Sequence, residues 1–162
     1  MLQPGDVLLY TPAGVFGKLI TLKTWSDYSH TEVVYRVQGS VISTYASRDP
    51  KRWFPKPSGG GVNIYPLRTS ELGLIRRPTH PVDMTKFEAF VNATVGQKYD
   101  WVGLLKFFRI SKGKQDRMFC SEAATRLLRA ITGEQLFANV DADAVSPGML
   151  AWTPELEDIW RA

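Results

Sequence analysis

Apolar and polar positions along the chain fall into short blocks whose spacing predicts most of its elements. Residues 6–10, Asp6-Val7-Leu8-Leu9-Tyr10, form a short apolar run between Pro4-Gly5 and Thr11-Pro12, which predicts a buried strand. Over residues 15–25, Phe16, Leu19, Ile20 and Lys23 recur at helical spacing and predict a helix. Residues 29–37 and 40–47 are rich in β-branched and aromatic side chains and read as a hairpin turning on Gln38-Gly39. Residues 48–61 hold Pro50, Pro55, Pro57 and Gly59-Gly60-Gly61, a loop signature. Two further strands follow over residues 62–67 and 72–77.

Asp83 is an N-cap for a helix with Phe87, Phe90, Val91 and Thr94 on one face and an end at Gly96. Asp100 opens a short helix over residues 101–108, and residues 109–117 form a basic connector. The strongest periodicity comes next: Cys120, Ala123, Ala124, Leu127, Leu128 and Ile131 make one apolar stripe that Gly133 closes. Residues 145–160 contain two apolar clusters punctuated by Pro147-Gly148 and Pro154. With no internal repeat and no linker, residues 1–162 read as a single α+β domain, a small antiparallel sheet or half-barrel packed against helices.

Composition narrows the class. A chain of 162 residues with 44% hydrophobic and 22% charged side chains has enough apolar material for a core, which excludes general disorder, coiled coil and repeat arrays. No apolar run approaches the roughly 18–20 residues that cross a bilayer, and the N-terminus carries no basic, apolar leader pattern. The expectation is a cytoplasmic or phage-associated protein without a signal peptide. A net charge of +4 is too mild to identify nucleic acid as a partner. The basic loop with Arg48, Lys51, Arg52 and Lys56 around Trp53 and Phe54 reads better as a solvated loop with two anchored aromatics. One cysteine and two histidines, His30 and His80, show no metal-ligand spacing, so neither metal nor other cofactor is expected. His80, between Thr79 and Pro81, reads as a loop residue. Nothing in the sequence signals an oligomeric state.

Cys120 is the informative position. It lies on an apolar stripe, as a small buried hydrophobe would, yet in the first turn, where backbone N–H groups and the positive end of the helix dipole favour thiolate. His30 follows Tyr28-Ser29 at the start of a strand, and an imidazole there is either a hydrogen-bonded structural group or the base that takes the thiol proton.

Gly5-Asp6-Val7, Tyr28-Ser29-His30 opening a strand, Tyr99-Asp100-Trp101, and Phe119-Cys120-Ser121-Glu122 opening a helix together resemble the circularly permuted NlpC-type papain-like cysteine hydrolases. The order His then Cys is that of the permuted group, and Ser146-Pro147-Gly148-Met149-Leu150 with Trp152-Thr153-Pro154 is similar to the family's ending. The resemblance runs from Gly5 to about Pro154. It implies a permuted papain-like fold, Cys120 as nucleophile, His30 as general base and acid, and the Cys120 N–H in an oxyanion hole. It also implies an acyl-enzyme route on peptide or amide bonds, peptidoglycan-derived peptides among them.

The third catalytic position departs from the family pattern. A two-residue loop at Gln38-Gly39 pairs Val37 with Ser40 and Glu32 with Tyr45, so alternation puts His30, Glu32, Val34, Ser43, Tyr45 and Ser47 on one face. Tyr45, followed by Ala46-Ser47, then stands in the third position, with a phenol that accepts a hydrogen bond but carries no charge at neutral pH. Glu32 offers the charge, or else an ion pair with a nearby Arg or Lys; Tyr45 is equally a packed core residue. Asp100 reads as a cap and Glu122 as a first-turn carboxylate working modestly against the thiolate. Tyr28 and Trp25 either line a substrate cleft or pack beneath it. Two alternatives stay open: an acyltransferase or lipid-directed thiol hydrolase with a groove at Leu104, Leu105, Phe107 and Phe108, and a non-catalytic binding protein with a degenerate site.

Overall fold

The computed structural model describes residues 1–48, 60–99, 117–133 and 136–162. Within them the chain runs β1 (Val7–Tyr10), α1 (Gly14–Thr24), β2 (His30–Gln38), β3 (Val41–Arg48), β4 (Gly61–Pro66), β5 (Leu72–Pro78) and α2 (Met84–Thr94). It continues through β6 (Lys98–Tyr99), β7 (Arg117–Met118), α3 (Cys120–Thr132), a 3₁₀ turn (Ala142–Ala144), α4 (Pro147–Trp152) and β8 (Leu156–Arg161). The architecture is α+β. Six strands form one antiparallel sheet in the order β4-β3-β2-β1-β5-β8, and β6 and β7 make a separate parallel pair.

The short apolar run at the N-terminus becomes the middle of this sheet. All four residues of β1 are buried, and the strand pairs with β2 on one side and β5 on the other. Alternation divides its side chains between two clusters. Val7 and Leu9 join Val33, Tyr45 and Leu74 in the main core, against Phe87 and Val91 of α2 and Ala123, Ala124, Leu127, Leu128 and Ile131 of α3. Leu8 and Tyr10 join Val34 in a smaller cluster flanked by Leu67, Leu72 and Ile75.

Three helix ends follow from their local sequence. Asp83 caps α2 by accepting from the Thr85 and Lys86 N–H groups at 3.0 and 3.1 Å. Gly133, with φ of 71°, closes α3 in the left-handed conformation. Ser146 caps α4 by accepting from Met149 N–H, with Pro147 at the first helical position.

Two expectations need correction. The β2–β3 turn is Gly39-Ser40, since Gln38 pairs with Val41, and a bulge at Tyr35 shifts the register again so that Tyr45 faces Val33. Tyr45 therefore lies on the Val33 side of the sheet, away from Glu32. Arg48 is not a loop residue but the last of β3. The tail also carries more structure than its apolar clusters indicate: β8 completes the sheet by pairing with β5. The guanidinium of Arg76 ties this segment down by donating to the carbonyls of Leu150, Thr153 and Leu156. The short helix over residues 101–108, its Asp100 cap, the apolar groove candidates there, and Lys51, Arg52, Trp53, Phe54 and Lys56 lie outside the described residues. Among the described residues no helix is long and apolar enough to cross a membrane.

Candidate active site

β7 delivers the chain directly into α3, so Cys120 is the first helical residue and follows two buried residues, Met118 and Phe119. The backbone is pinned on both sides of it. Ser47 Oγ on β3 donates to the Met118 carbonyl, and Ser121 Oγ donates to the Val145 carbonyl at 2.7 Å. The thiol is free and buried.

His30 opens β2 opposite Tyr10, and the two rings lie 5.7 Å apart, tilted by 45°. Its Nε2 meets Glu32 Oε1 at 3.1 Å, and its side chain is 18% exposed. Cys120 is close enough for its side chain to act on the charge of the ring. Burial alone would lower the imidazole pKa. The negative charge and hydrogen bonds of Cys120 and Glu32 outweigh it and raise the value to about 9.

Glu32 sits two residues along the same strand, fully buried, with both oxygens engaged. Arg48 reaches it in a fork, Nε to Oε1 at 2.8 Å and Nη2 to Oε2 at 2.9 Å, and Thr44 Oγ1 donates to Oε2 at 2.7 Å. Burial opposes ionisation here too, but the donors from His30 and Arg48 prevail and hold the carboxyl at about 2. Arg48 is itself fixed by the Pro66 carbonyl at 3.1 Å and by the Tyr65 ring at 4.3 Å. Glu32 thus makes the ion pair expected of a buried carboxylate and, with the same carboxylate, touches His30.

The remaining residues singled out from sequence are placed elsewhere. The Tyr45 hydroxyl pairs with Thr94 Oγ1 at 2.9 Å, in the core beside Phe90, and burial pushes its pKa up to about 12. Tyr28 is buried, packs over Gly73 and accepts from Arg161 Nη1 at 3.4 Å. Asp6 is buried in a fork with Arg77, at 2.7 and 2.8 Å. Glu122 is also buried. That burial raises its carboxyl to about 7, aided by Asp143 and resisted by Arg126 at 2.7 Å. Sequence reasoning missed Thr44 and Arg48 as partners of Glu32. The available signal was parity: residues 44 and 48 share one side of β3, opposite Tyr45 and Ser47.

No family model matches the chain, and no curated protein matches it either. Among solved structures it is similar to the metalloprotein yiiX from Escherichia coli O157:H7, described as DUF1105, at a TM-score of 0.72. The two are 18% identical, and the match covers 99% of this chain and 97% of the other. At that identity the likeness concerns the fold. Among the described residues no group of three or more His, Cys, Asp or Glu is placed to hold a metal ion. At the site itself, Glu32 is engaged by a guanidinium, whose charge stands where a cation would need to be. These side chains do not fit a metal.

Proposed function

We propose that this chain is a cysteine hydrolase of the circularly permuted, papain-like NlpC kind, which opens amide bonds through an acyl-enzyme. The observation that carries the reading is His30, hydrogen-bonded to the buried carboxylate of Glu32 and within electrostatic reach of Cys120 at a helix start. A ring oriented by a carboxylate can take the thiol proton and leave thiolate, the form that attacks a carbonyl.

In this mechanism the proton lost by the thiol resides on His30. The Cys120 sulfur adds to the carbonyl carbon, and the oxyanion is received at the start of α3, where the Cys120 N–H and the helix dipole point. His30 gives its proton to the departing nitrogen as the C–N bond breaks, which leaves a thioester. The ring then takes a proton from water, hydroxide adds to the thioester carbon, and the acid departs as the thiol–imidazole pair is restored. Glu32 holds the ring and stabilises its positive form, and Arg48 and Thr44 keep Glu32 ionised and in place. The proposed substrates are peptide amides, with peptidoglycan-derived peptides first among them.

The test is the rate of Cys120 alkylation by iodoacetamide against pH, in wild type and His30→Ala, together with hydrolysis of a muropeptide panel. Reactivity persisting well below pH 8.5 in wild type and lost in His30→Ala is the expected result, with turnover absent in Cys120→Ala. A thiol whose alkylation profile ignores His30 would overturn the assignment.

A further inference from the structure

A second feature is independent of the thiol. Between the end of α1 and the start of α4 lies a cavity of about 360 Å³, within the range of small-molecule sites. Trp25, Phe137 and Trp152 are among its lining residues. Trp25 is 93% exposed and Trp152 is 70% exposed, so neither indole is accounted for by burial in the core.

The backbone singles out the same place. Only three non-glycine residues among those described have positive φ: Trp25 at 49°, Glu71 at 59° and Phe137 at 54°. Two of the three line this cavity, and both are bulky aromatics, for which the left-handed region is strained. Trp25 occupies the C-cap of α1, its N–H bonded to the Thr21 carbonyl, a position that glycine fills without strain. The chain holds an indole there in solvent at a cost to its own stability.

The polar lining decides the ligand class. None of the lining residues is charged, and Arg161, whose guanidinium lies 5.7 Å from the centre of the Trp152 ring, is paired with Asp158 at 2.7 Å, so the cavity favours an uncharged ligand. Four carry hydroxyls that are already oriented. Ser26 and Ser146 accept from the N–H groups of Tyr28 and Met149 and so keep their O–H to donate. Thr24 donates to the Ile20 carbonyl and Thr153 to Glu155, and both keep lone pairs to accept. Donors, acceptors and flat aromatic faces around one cavity match a ring that is apolar on its faces and hydroxylated at its edge. An acyl chain would leave these hydroxyls buried without new partners. The close approach of Gly148 to Ser26, where a Cβ would come within 2.5 Å of the serine Cβ, sets the spacing of the two walls.

We propose that this cavity is a binding site for an uncharged sugar ring, stacked against Trp25 and Trp152. Its walls are tied to the candidate catalytic pair without sharing a residue with it. Ser26 is four residues before His30, at most about 14 Å along the chain, and Val145, beside Ser146, accepts from Ser121.

The probes are cellotriose, maltotriose and chitotriose, titrated into the full chain by calorimetry and tryptophan fluorescence. Saturable binding of at least one is expected, weakened about tenfold or more in Trp152→Ala and in Trp25→Gly. Trp25→Gly should also raise the melting temperature, by about 2 °C or more, because it removes strain together with the ligand contact. Cys120→Ser should bind as wild type does, which separates this site from the thiol chemistry. Absence of saturable binding with all three sugars overturns the proposal. So does binding that both tryptophan substitutions leave intact, or capture by phosphatidylglycerol vesicles without any sugar binding.

Discussion

Two buried glutamates flank the candidate catalytic pair, each facing an arginine, and they behave in opposite ways. Glu32 has no exposed side-chain surface and an Arg48 partner that is 21% exposed; Glu122 is 4% exposed but its Arg126 is 47% exposed. The first receives a two-pronged guanidinium, a hydroxyl and an imidazole, and stays ionised down to about pH 2. The second receives one prong from a solvated arginine and a backbone hydrogen bond from Phe119, and faces Asp143, so burial prevails and its carboxyl rises to about 7. Burial alone therefore does not set the charge of a carboxyl. The number of donors, and how far water screens them, decides it.

The comparison breaks most visibly at Glu32. Glu32→Ala leaves Arg48 partly buried without its counter-charge and should cost about 3–5 kcal/mol in urea unfolding. Glu32→Gln keeps the shape but loses the charge, and hydrolysis of whichever amide is turned over should fall about a hundredfold or more. Because the folded value lies below the ordinary 4.5, the stability contributed by Glu32 is complete above about pH 4.5 and drains away as pH falls toward 2.

Thr44→Val removes one donor of the set and should cost about 1.5–3 kcal/mol, the range for a hydrogen bond to a charged group. Glu122 gives the opposite slope. Folding retains a proton on it that the unfolded chain releases between about pH 4.5 and 7, so stability falls as pH rises through that window. Glu122→Gln should flatten that part of a melting-temperature profile and leave the variant the more stable protein above pH 7. A third pair marks the lower limit. Arg36 and Glu88 meet at 2.9 Å with about half of each side chain in water, and Arg36→Ala should leave the melting temperature unchanged.

How far the sequence reveals this arrangement depends on the range of the interactions. The apolar stripe of α3, the Asp83 cap and the strand expected over residues 6–10 are local patterns, and the structure places elements where those patterns lie, the strand over Val7–Tyr10. The proximity of Cys120 and His30 was legible only through the order of several motifs, since spacing alone says nothing about contacts ninety residues apart. The β2–β3 register was not legible, because Gln-Gly and Gly-Ser serve almost equally well as turns and a bulge leaves no mark in an alternating pattern. That one uncertainty moved Tyr45 to the wrong side and hid Thr44 and Arg48. β8 was hidden for another reason: it is an edge strand, mostly exposed, with charges where a core strand would be apolar.

The bulge at Tyr35 has a meaning for inheritance as well as for register. It stands between the turn at Gly39-Ser40 and the part of the hairpin that carries His30 and Glu32, like a slack link between a handle and a tool. Gly39 is exposed and has open space around it, so length changes at the turn are absorbed before they reach the bulge. Insertions can therefore collect there without disturbing the buried charges, and a peptide tag or fluorophore acceptor spliced between Gly39 and Ser40 gives a handle on the protein that its chemistry does not feel.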